Sequence, residues 1–257
     1  MSSRTKKGAK IKGEGKAKSS QARDPAADDA SLCAPAWFAA AITPHAKNAK
    51  LKSKSNILSR ISLGNNIYII DTFFLAAECL AWIEYGETSG FEQIEQAADG
   101  EYAHRNNGRI QLFNDSVADN IFKRLEPFLP PLMDGCTVHS CSNNIRLYKY
   151  ATGQRFGKHV DESCLDEKSG GESKFTVLIY LCDSSGGALP RCDATDDNCV
   201  AGGETVFYNS RDRELHSVSP AMGRLLLHAQ GARCLTHEGA MVHAGTKYVL
   251  RTDVIYR

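Results

Sequence analysis

Between Asp71 and Leu129 the apolar residues recur at helical spacing, whereas beyond Pro131 they gather into short runs that read as strands. Phe74, Leu75, Cys79, Leu80, Trp82 and Ile83 recur at helical spacing. Asp71 stands before them as an N-cap, so the pattern predicts a helix over residues 73–87, preceded by the β-branched run Ile67-Tyr68-Ile69-Ile70. A second helix opens at Asp115, carries Val117, Ile121, Phe122 and Leu125, and is stopped by Pro127, Pro130 and Pro131. Residues 144–150, 174–182, 205–208, 224–228 and 246–256 are then rich in β-branched, aliphatic and aromatic residues, with Gly, Ser and Asp clusters between them. Many short strands with no long helix among them predict a mainly β domain with supporting helices, most simply a jelly roll.

Composition changes the picture mostly at the start of the chain. Arg4, Lys6, Lys7, Lys10, Lys12, Lys16, Lys18 and Arg23 face only Glu14, and large apolar groups are scarce until about residue 31. Such a segment cannot bury enough surface to offset its ordering entropy, so residues 1–55 are expected to form a disordered basic tail. Ordered sequence is expected over 56–257, with support helices in 56–135 and the jelly-roll core in 136–257. The formal net charge of +1 gives no global attraction to nucleic acid or membrane. No apolar run approaches the roughly 20 residues of a membrane span, and the first residues lack an apolar signal core. Nine cysteines, odd in number and irregularly spaced, do not form a disulfide framework. An intracellular location, cytoplasmic or nuclear, is the expectation. The polar segment 183–202, with Cys192, Cys199 and three aspartates, reads as a surface insertion between strands.

Candidate chemistry centres on His159 and Asp161. Two residues apart on an extended segment, their side chains share one face, as two ligands of one ion must. Phe156, Tyr150 and Tyr148 precede them on what reads as a single strand. A second histidine, His237, stands ten residues before Lys247, and Lys247 and Arg251 lie on one face of an otherwise apolar strand. A cation pointing into a core needs a partner, which an acidic co-substrate would supply. Two histidines and one carboxylate leave three coordination positions open, which suits non-haem Fe(II) and dioxygen. His243 competes with His237 as the second histidine, while His228 reads as a core or rim residue.

These residues sit in an ordered series of motifs. It runs Tyr150-x-x-Gly153-x-x-Phe156-x-x-His159-x-Asp161, then Thr176-x-Leu178-x-Tyr180-Leu181, then Gly202-Gly203-Glu204-Thr205-x-Phe207. Val218-x-Pro220-x-x-Gly223 and His237-x-x-x-x-Val242-x-x-Gly245-x-Lys247 complete it. The series resembles the catalytic domain of prolyl 4-hydroxylase-type Fe(II)/2-oxoglutarate dioxygenases. The resemblance covers a little less than half of the chain.

It implies a double-stranded β-helix, cupin-like, with His159, Asp161 and His237 as ligands of Fe(II). It implies Lys247 as partner of the far carboxylate of 2-oxoglutarate, Arg251 as second choice, Tyr150 and Tyr180 as hydrogen-bonding pocket residues, and Leu178 and Thr205 as lining. The implied activity couples oxidative decarboxylation of 2-oxoglutarate by O2 to hydroxylation of a substrate, a peptidyl proline first among them, with ascorbate in support. His237 is preferred over His243 because Val242 and Gly245 then fall in register.

Departures concern the substrate. Met241 replaces a common proline, and Arg251-Thr252-Asp253-Val254 replaces the tryptophan-bearing end found in collagen hydroxylases. An oxidative demethylase of alkylated nucleobases and a non-catalytic binding module or oxygen sensor stay open as alternatives. A protein or peptide is the expected partner; nucleic acid is left open, as is the oligomeric state. The polar stretch 102–114, with Arg105 and Arg109, reads as a solvated loop that could reach the mouth of the barrel.

Overall fold

The computed structural model describes residues 58–99, 102–184 and 199–257. The expected tail over 1–55 and most of the 183–202 segment lie outside them. Strands β1 (Arg60–Gly64) and β2 (Ile67–Ile70) form a hairpin whose turn places Asn65 and Asn66 at positive φ, as tight hairpins require. Helix α1 (Ala76–Ser89) follows, then β3 (Glu92–Gln96), β4 (Arg105–Phe113) and helix α2 (Asp115–Leu125). Next come β5 (Leu132–Met133), β6 (Cys136–Cys141), β7 (Asn144–Tyr150), β8 (Phe156–His159), β9 (Leu165–Asp166) and β10 (Gly171–Tyr180). The chain ends with β11 (Asp183–Ser184), β12 (Cys199–Gly202), β13 (Thr205–Tyr208), β14 (Glu214–Val218), β15 (Leu225–Ala229), β16 (His237–Gly239), β17 (Val242–Ala244) and β18 (Lys247–Tyr256).

The main sheet follows one hydrogen-bonded path, β1-β2-β15-β10-β18-β7-β4-β8-β16-β13-β14, with β3, β5, β6 and β9 paired beside it and β11-β12-β17 as a separate small sheet. Nearly every pairing is antiparallel, and the path folds into a nearly closed barrel, the jelly roll that the strand pattern predicts.

Strand alternation decides which side becomes core and which becomes site. On β10, Phe175, Val177 and Ile179 belong to the main core together with Phe73, Trp82 and Ile121. The intervening Leu178 faces the inside of the barrel. Strand β18 repeats the division: Tyr248, Leu250 and Val254 join the core, whereas Lys247, Val249 and Arg251 line a cavity. The helices thus cover one face of the sheet and leave the other free for chemistry. Arg124 of α2 ties them together, 2.7 Å from the Glu78 carboxylate of α1.

Three local expectations are corrected. Helix α1 starts at Ala76, and Glu78 accepts the Leu75 N–H at 2.7 Å. Asp71 is not its cap; it pairs with Arg224 at 2.6 Å, and Phe73 and Phe74 plug the core before the helix begins. Phe74 N–H donates to the Gly223 carbonyl at 3.1 Å; at Gly223, with φ +77°, a β-carbon would sit 2.1 Å from the Phe74 oxygen. Glycine is required there by both conformation and space. Helix α2 is capped one residue earlier than expected, by Asn114, which accepts the Val117 N–H at 2.9 Å.

The second correction concerns Tyr148 and Tyr150, which lie on β7 and do not share the strand of Phe156 and His159. The chain breaks after Tyr150 and resumes as β8 at Phe156. The third concerns the stretch 102–114. It is no solvated loop: Arg105–Phe113 is a nine-residue strand, paired to β3 on one side and to β7 on the other. Ile110 and Leu112 enter the core from it.

Six described cysteines are free thiols, while Cys199 is disulfide-bonded. Among the described residues no helix is long and apolar enough to cross a membrane.

Candidate active site

Antiparallel pairing of β8 with β16 sets His159 directly opposite His237. Their rings lie 4.3 Å apart, centroid to centroid. Asp161 follows β8 and is buried, with Oδ1 3.6 Å from His159 Nε2 and Oδ2 3.8 Å from His237 Nε2. One nitrogen from each histidine and one carboxylate oxygen all fall within 4.8 Å of one another, which is the spacing of donors around a single ion.

The opposite ring nitrogens fix the tautomers. His159 Nδ1 donates to the Gly157 carbonyl at 2.8 Å and His237 Nδ1 to the Leu235 carbonyl at 2.9 Å, so both Nε2 lone pairs face the site. Phe156 stacks on the His159 ring at 3.7 Å and holds its plane.

Charge states suit metal ligation. Burial lowers the His159 pKa to about 4, aided by His237, and burial also lowers that of His237, so both rings are neutral at neutral pH. Burial alone would push the Asp161 carboxyl up. The Arg251 guanidinium and the surrounding imidazoles outweigh it and hold the group ionised, well below the usual carboxylate range. Thr176 Oγ1 donates to Asp161 Oδ2 at 2.6 Å, and Arg251 Nη2 lies 3.2 Å from the same oxygen. Two neutral imidazoles and one oriented carboxylate fit a divalent ion of intermediate softness.

His228 was not foreseen at the site. Its Nε2 is 3.7 Å from Asp161 Oδ2, and it lines the cavity, almost fully buried, with no partner for that nitrogen among the described residues. It also forms, with Cys234 and His237, a second set of close donors. Two observations favour the histidine–carboxylate set over this one. Burial raises the Cys234 thiol to about 11, leaving it protonated, and its sulfur faces the Nδ1 of His237, which already carries the proton given to Leu235. His243 lies on β17 outside both sets, which leaves His237 as the second histidine of the cluster.

Lys247 comes from the opposite wall, where β18 pairs with β7 and sets it across from Tyr150. It is 5% exposed and forms no ion pair among the described residues, its ammonium lying 5.4 Å and 5.6 Å from the Tyr150 and Tyr180 ring centres. Burial depresses its pKa to about 8, with Cys182 and Glu204 opposing the shift. A buried ammonium without a counter-anion is costly, and a carboxylate in the slot would relieve the cost. Its stem passes the Gly202-Gly203 pair: a β-carbon on Gly203 would lie 3.0 Å from Lys247 Cδ.

Arg251 is differently placed. It is engaged by Asp161 and, at 3.4 Å, by Asp253, so its charge is spent on holding the Asp161 carboxylate. Tyr150, Leu178 and Thr205 line the same cavity as Lys247. Tyr180 stands behind them, its hydroxyl 2.6 Å from Thr205 Oγ1, and so supports a lining residue without being one.

Residues 145–252 match the model of the 2OG-Fe(II) oxygenase superfamily. This segment is a 2OG-Fe(II) oxygenase domain. All three clustered donors and both cations fall inside it. A viral collagen prolyl hydroxylase from Paramecium Bursaria Chlorella virus-1, solved with 2OG, aligns over 74% of this chain and 96% of its own, with 18% identity and a TM-score of 0.51. A Trichoplax adhaerens prolyl hydroxylase, in complex with a hypoxia inducible factor oxygen degradation domain peptide fragment, aligns over 74% and 84%, with 19% identity and a TM-score of 0.52. At these identities the likeness is one of fold. No curated protein matches the chain by sequence. The oxygenase domain thus implies Fe(II) and 2-oxoglutarate, and the donor set and the unpaired lysine fit both.

Proposed function

We propose that this dioxygenase hydroxylates a peptide, at a prolyl residue first of all, with His159, Asp161 and His237 holding Fe(II) and Lys247 receiving the far carboxylate of 2-oxoglutarate. The observation that carries the reading is the buried, unpaired ammonium of Lys247 at one end of a cavity whose other end is the three-donor cluster. A peptide is favoured as substrate because the barrel is shared with two enzymes described as prolyl hydroxylases, one of them peptide-bound. That part of the argument is analogy of fold.

Iron bound at this site supplies the activation of dioxygen, coupled to oxidative decarboxylation of 2-oxoglutarate to succinate. The chain's own residues supply position and exclusion of water. Lys247 would form a charge-assisted hydrogen bond in a desolvated slot, stronger than a neutral one. Thr205, held by the Tyr180 hydroxyl, and Tyr150, whose burial raises its pKa to about 12 and keeps it a neutral donor, would fix the same carboxylate. Leu178 and Val249 wall the slot with hydrocarbon. Arg251 and Thr176 hold Asp161 in one orientation, and Phe156 and the Gly157 carbonyl do so for His159. His228 packs against another side of Asp161, 3.7 Å from Oδ2.

The test is unbiased. Purified protein is incubated with Fe(II), 2-oxoglutarate and a cell lysate, and peptides are searched by mass for the gain of one oxygen. A 2-oxoglutarate-dependent gain on proline supports the proposal; gains confined to nucleic acid, or loss of methyl groups there, would replace it.

A further inference from the structure

A second, wider cavity of about 450 Å³ opens from the same centre and shares His159 and Asp161 with the slot. Four guanidinium groups line it: Arg105 and Arg109 from β4, Arg146 from β7 and Arg251 from β18. Two of them are neutralised. Arg146 pairs with Asp253, and Arg251 with Asp161 and Asp253. The other two, Arg105 and Arg109, have no ion-pair partner among the described residues. Arg105 lies over the rings of Tyr148 and Phe156, at 4.6 and 4.7 Å from their centres, and donates through Nε to Asn107 at 2.8 Å. That stacking fixes its plane, and its other partners, the Tyr148 and Tyr150 phenols, are neutral, as is Gln111, to which Arg109 donates; the charge of both guanidiniums stays uncompensated.

A separate observation points the same way. The Nε–H groups of Arg109, Arg146 and Arg251 are buried and lack acceptors among the described residues. Orphaned buried donors are costly, and here three gather around one cavity. The phenol of Tyr148 registers the same field. Burial would raise its pKa, yet Arg146, Arg251 and Arg105 bring it below the ordinary value. The mouth is therefore short of acceptors and of negative charge.

Resting on the reading of the domain as a peptide hydroxylase, we propose that this mouth receives an acidic side chain of the substrate, with Arg105 and Arg109 as partners of its carboxylate, while the residue to be oxidised reaches the cluster at His159 and Asp161. The distribution of charge around the mouth favours an isolated carboxylate over a polyphosphate backbone. Glu162 is exposed at its rim, and Glu92 and Glu95 are exposed on β3, with Glu92 in register with Arg109. A continuous polyanion would meet these carboxylates on leaving the arginines; a single acidic side chain would not. Guanidinium forks suit a carboxylate, which two parallel N–H donors can grip.

The experiment uses the full chain with Fe(II) and three fluorescent peptides sharing one proline-containing core, flanked by Glu, Gln or Lys, together with a methylated single-stranded DNA oligonucleotide. Binding is read by anisotropy without oxygen, and oxidation by mass after oxygen and 2-oxoglutarate are added. The Glu peptide should bind at least about tenfold tighter than the Lys peptide, the worth of one charge-assisted contact. That margin should shrink as salt is raised. Arg105→Gln and Arg109→Gln should each reduce the Glu-to-Lys affinity ratio by about tenfold, while an unfolded fraction would lower both affinities and leave the ratio intact. Equal or better binding and oxidation of the Gln or Lys peptide would overturn the acidic preference and leave the peptide reading standing. An unchanged ratio in both variants would overturn the assignment to these arginines. Oxidation of the oligonucleotide with no peptide bound would overturn both.

Discussion

The slot and the mouth that meet at Asp161 handle positive charge in opposite ways. The slot isolates one cation: Lys247 is buried, forms no ion pair among the described residues, and has tyrosine rings as its neighbours. The mouth assembles four guanidiniums and neutralises two of them with Asp161 and Asp253. A lone desolvated ammonium selects by strict fit, because only a small ligand that reaches it repays its burial. Arginines partly paired and open to solvent are screened and select more loosely. The difference suggests an invariant ligand inside and a variable one outside. It also assigns Lys247 and Arg251, although on one face of one strand, to different tasks.

The comparison can be broken first at what the two cavities share. His159→Ala or Asp161→Ala should abolish 2-oxoglutarate turnover, measured as succinate released; persistence of turnover in both variants would remove the centre from this site. Lys247→Ala should come next, raising KM for 2-oxoglutarate by roughly 10- to 100-fold, the worth of a charged hydrogen bond. Arg251→Ala should instead weaken iron binding through Asp161, with a smaller change in that KM. Equilibrium dialysis against Fe(II) and steady-state kinetics separate the two, and the reverse result would exchange their roles.

A third effect is in pH. Burial brings the Lys247 pKa down to about 8 in the free protein, so the ammonium proposed to receive the 2-oxoglutarate carboxylate is present below that value and lost above it. KM for 2-oxoglutarate should rise as pH is taken above about 8, and Lys247→Met should flatten the profile. The smallest effect is on the free fold. The unfolded chain holds the Lys247 proton up to its ordinary pKa of 10.5, while the folded chain releases it near 8. Below 8 this depression costs the fold roughly 3 kcal/mol, and the cost is relieved as pH rises towards 10.5. In the absence of 2-oxoglutarate, Lys247→Met should therefore raise Tm by several degrees at neutral pH, with a narrowing gain at high pH, by calorimetry.

What could be read from the sequence was what repeats at a fixed interval or stands in a fixed order. His159 and Asp161 are two apart, Lys247 and Arg251 four apart on a strand, and the strands over 144–150 and 205–208 were found to the residue. Residues whose role depends on a neighbouring strand were not legible. His228 sits in an apolar run, and only the pairing of β15 with β10, which places it opposite Thr176, brings it to Asp161. Arg-Asn-Asn-Gly-Arg at 105–109 has a loop's composition. It becomes strand because β3 and β7 satisfy its backbone on both sides, and Asn107 is wholly buried there. Asp71 had the type and position of a helix cap, but Arg224, 153 residues away, offers its carboxylate a stronger partner. Tyr180 belonged to the right motif yet lies one layer back, because Thr205 stands between it and the slot.

The pairing of β8 with β16 carries one more implication, for folding fidelity. His159 and His237 are direct cross-strand partners, and β16 is only three residues long. Side chains along a strand alternate sides, so a slip of one residue would turn His237 outward and bring Glu238 in. Such a molecule would keep almost all of its core, its helices and its spectroscopic signature, and would have no three-donor centre. Metal uptake per folded chain therefore measures the accuracy with which one short strand has found its place, a property that overall stability does not report.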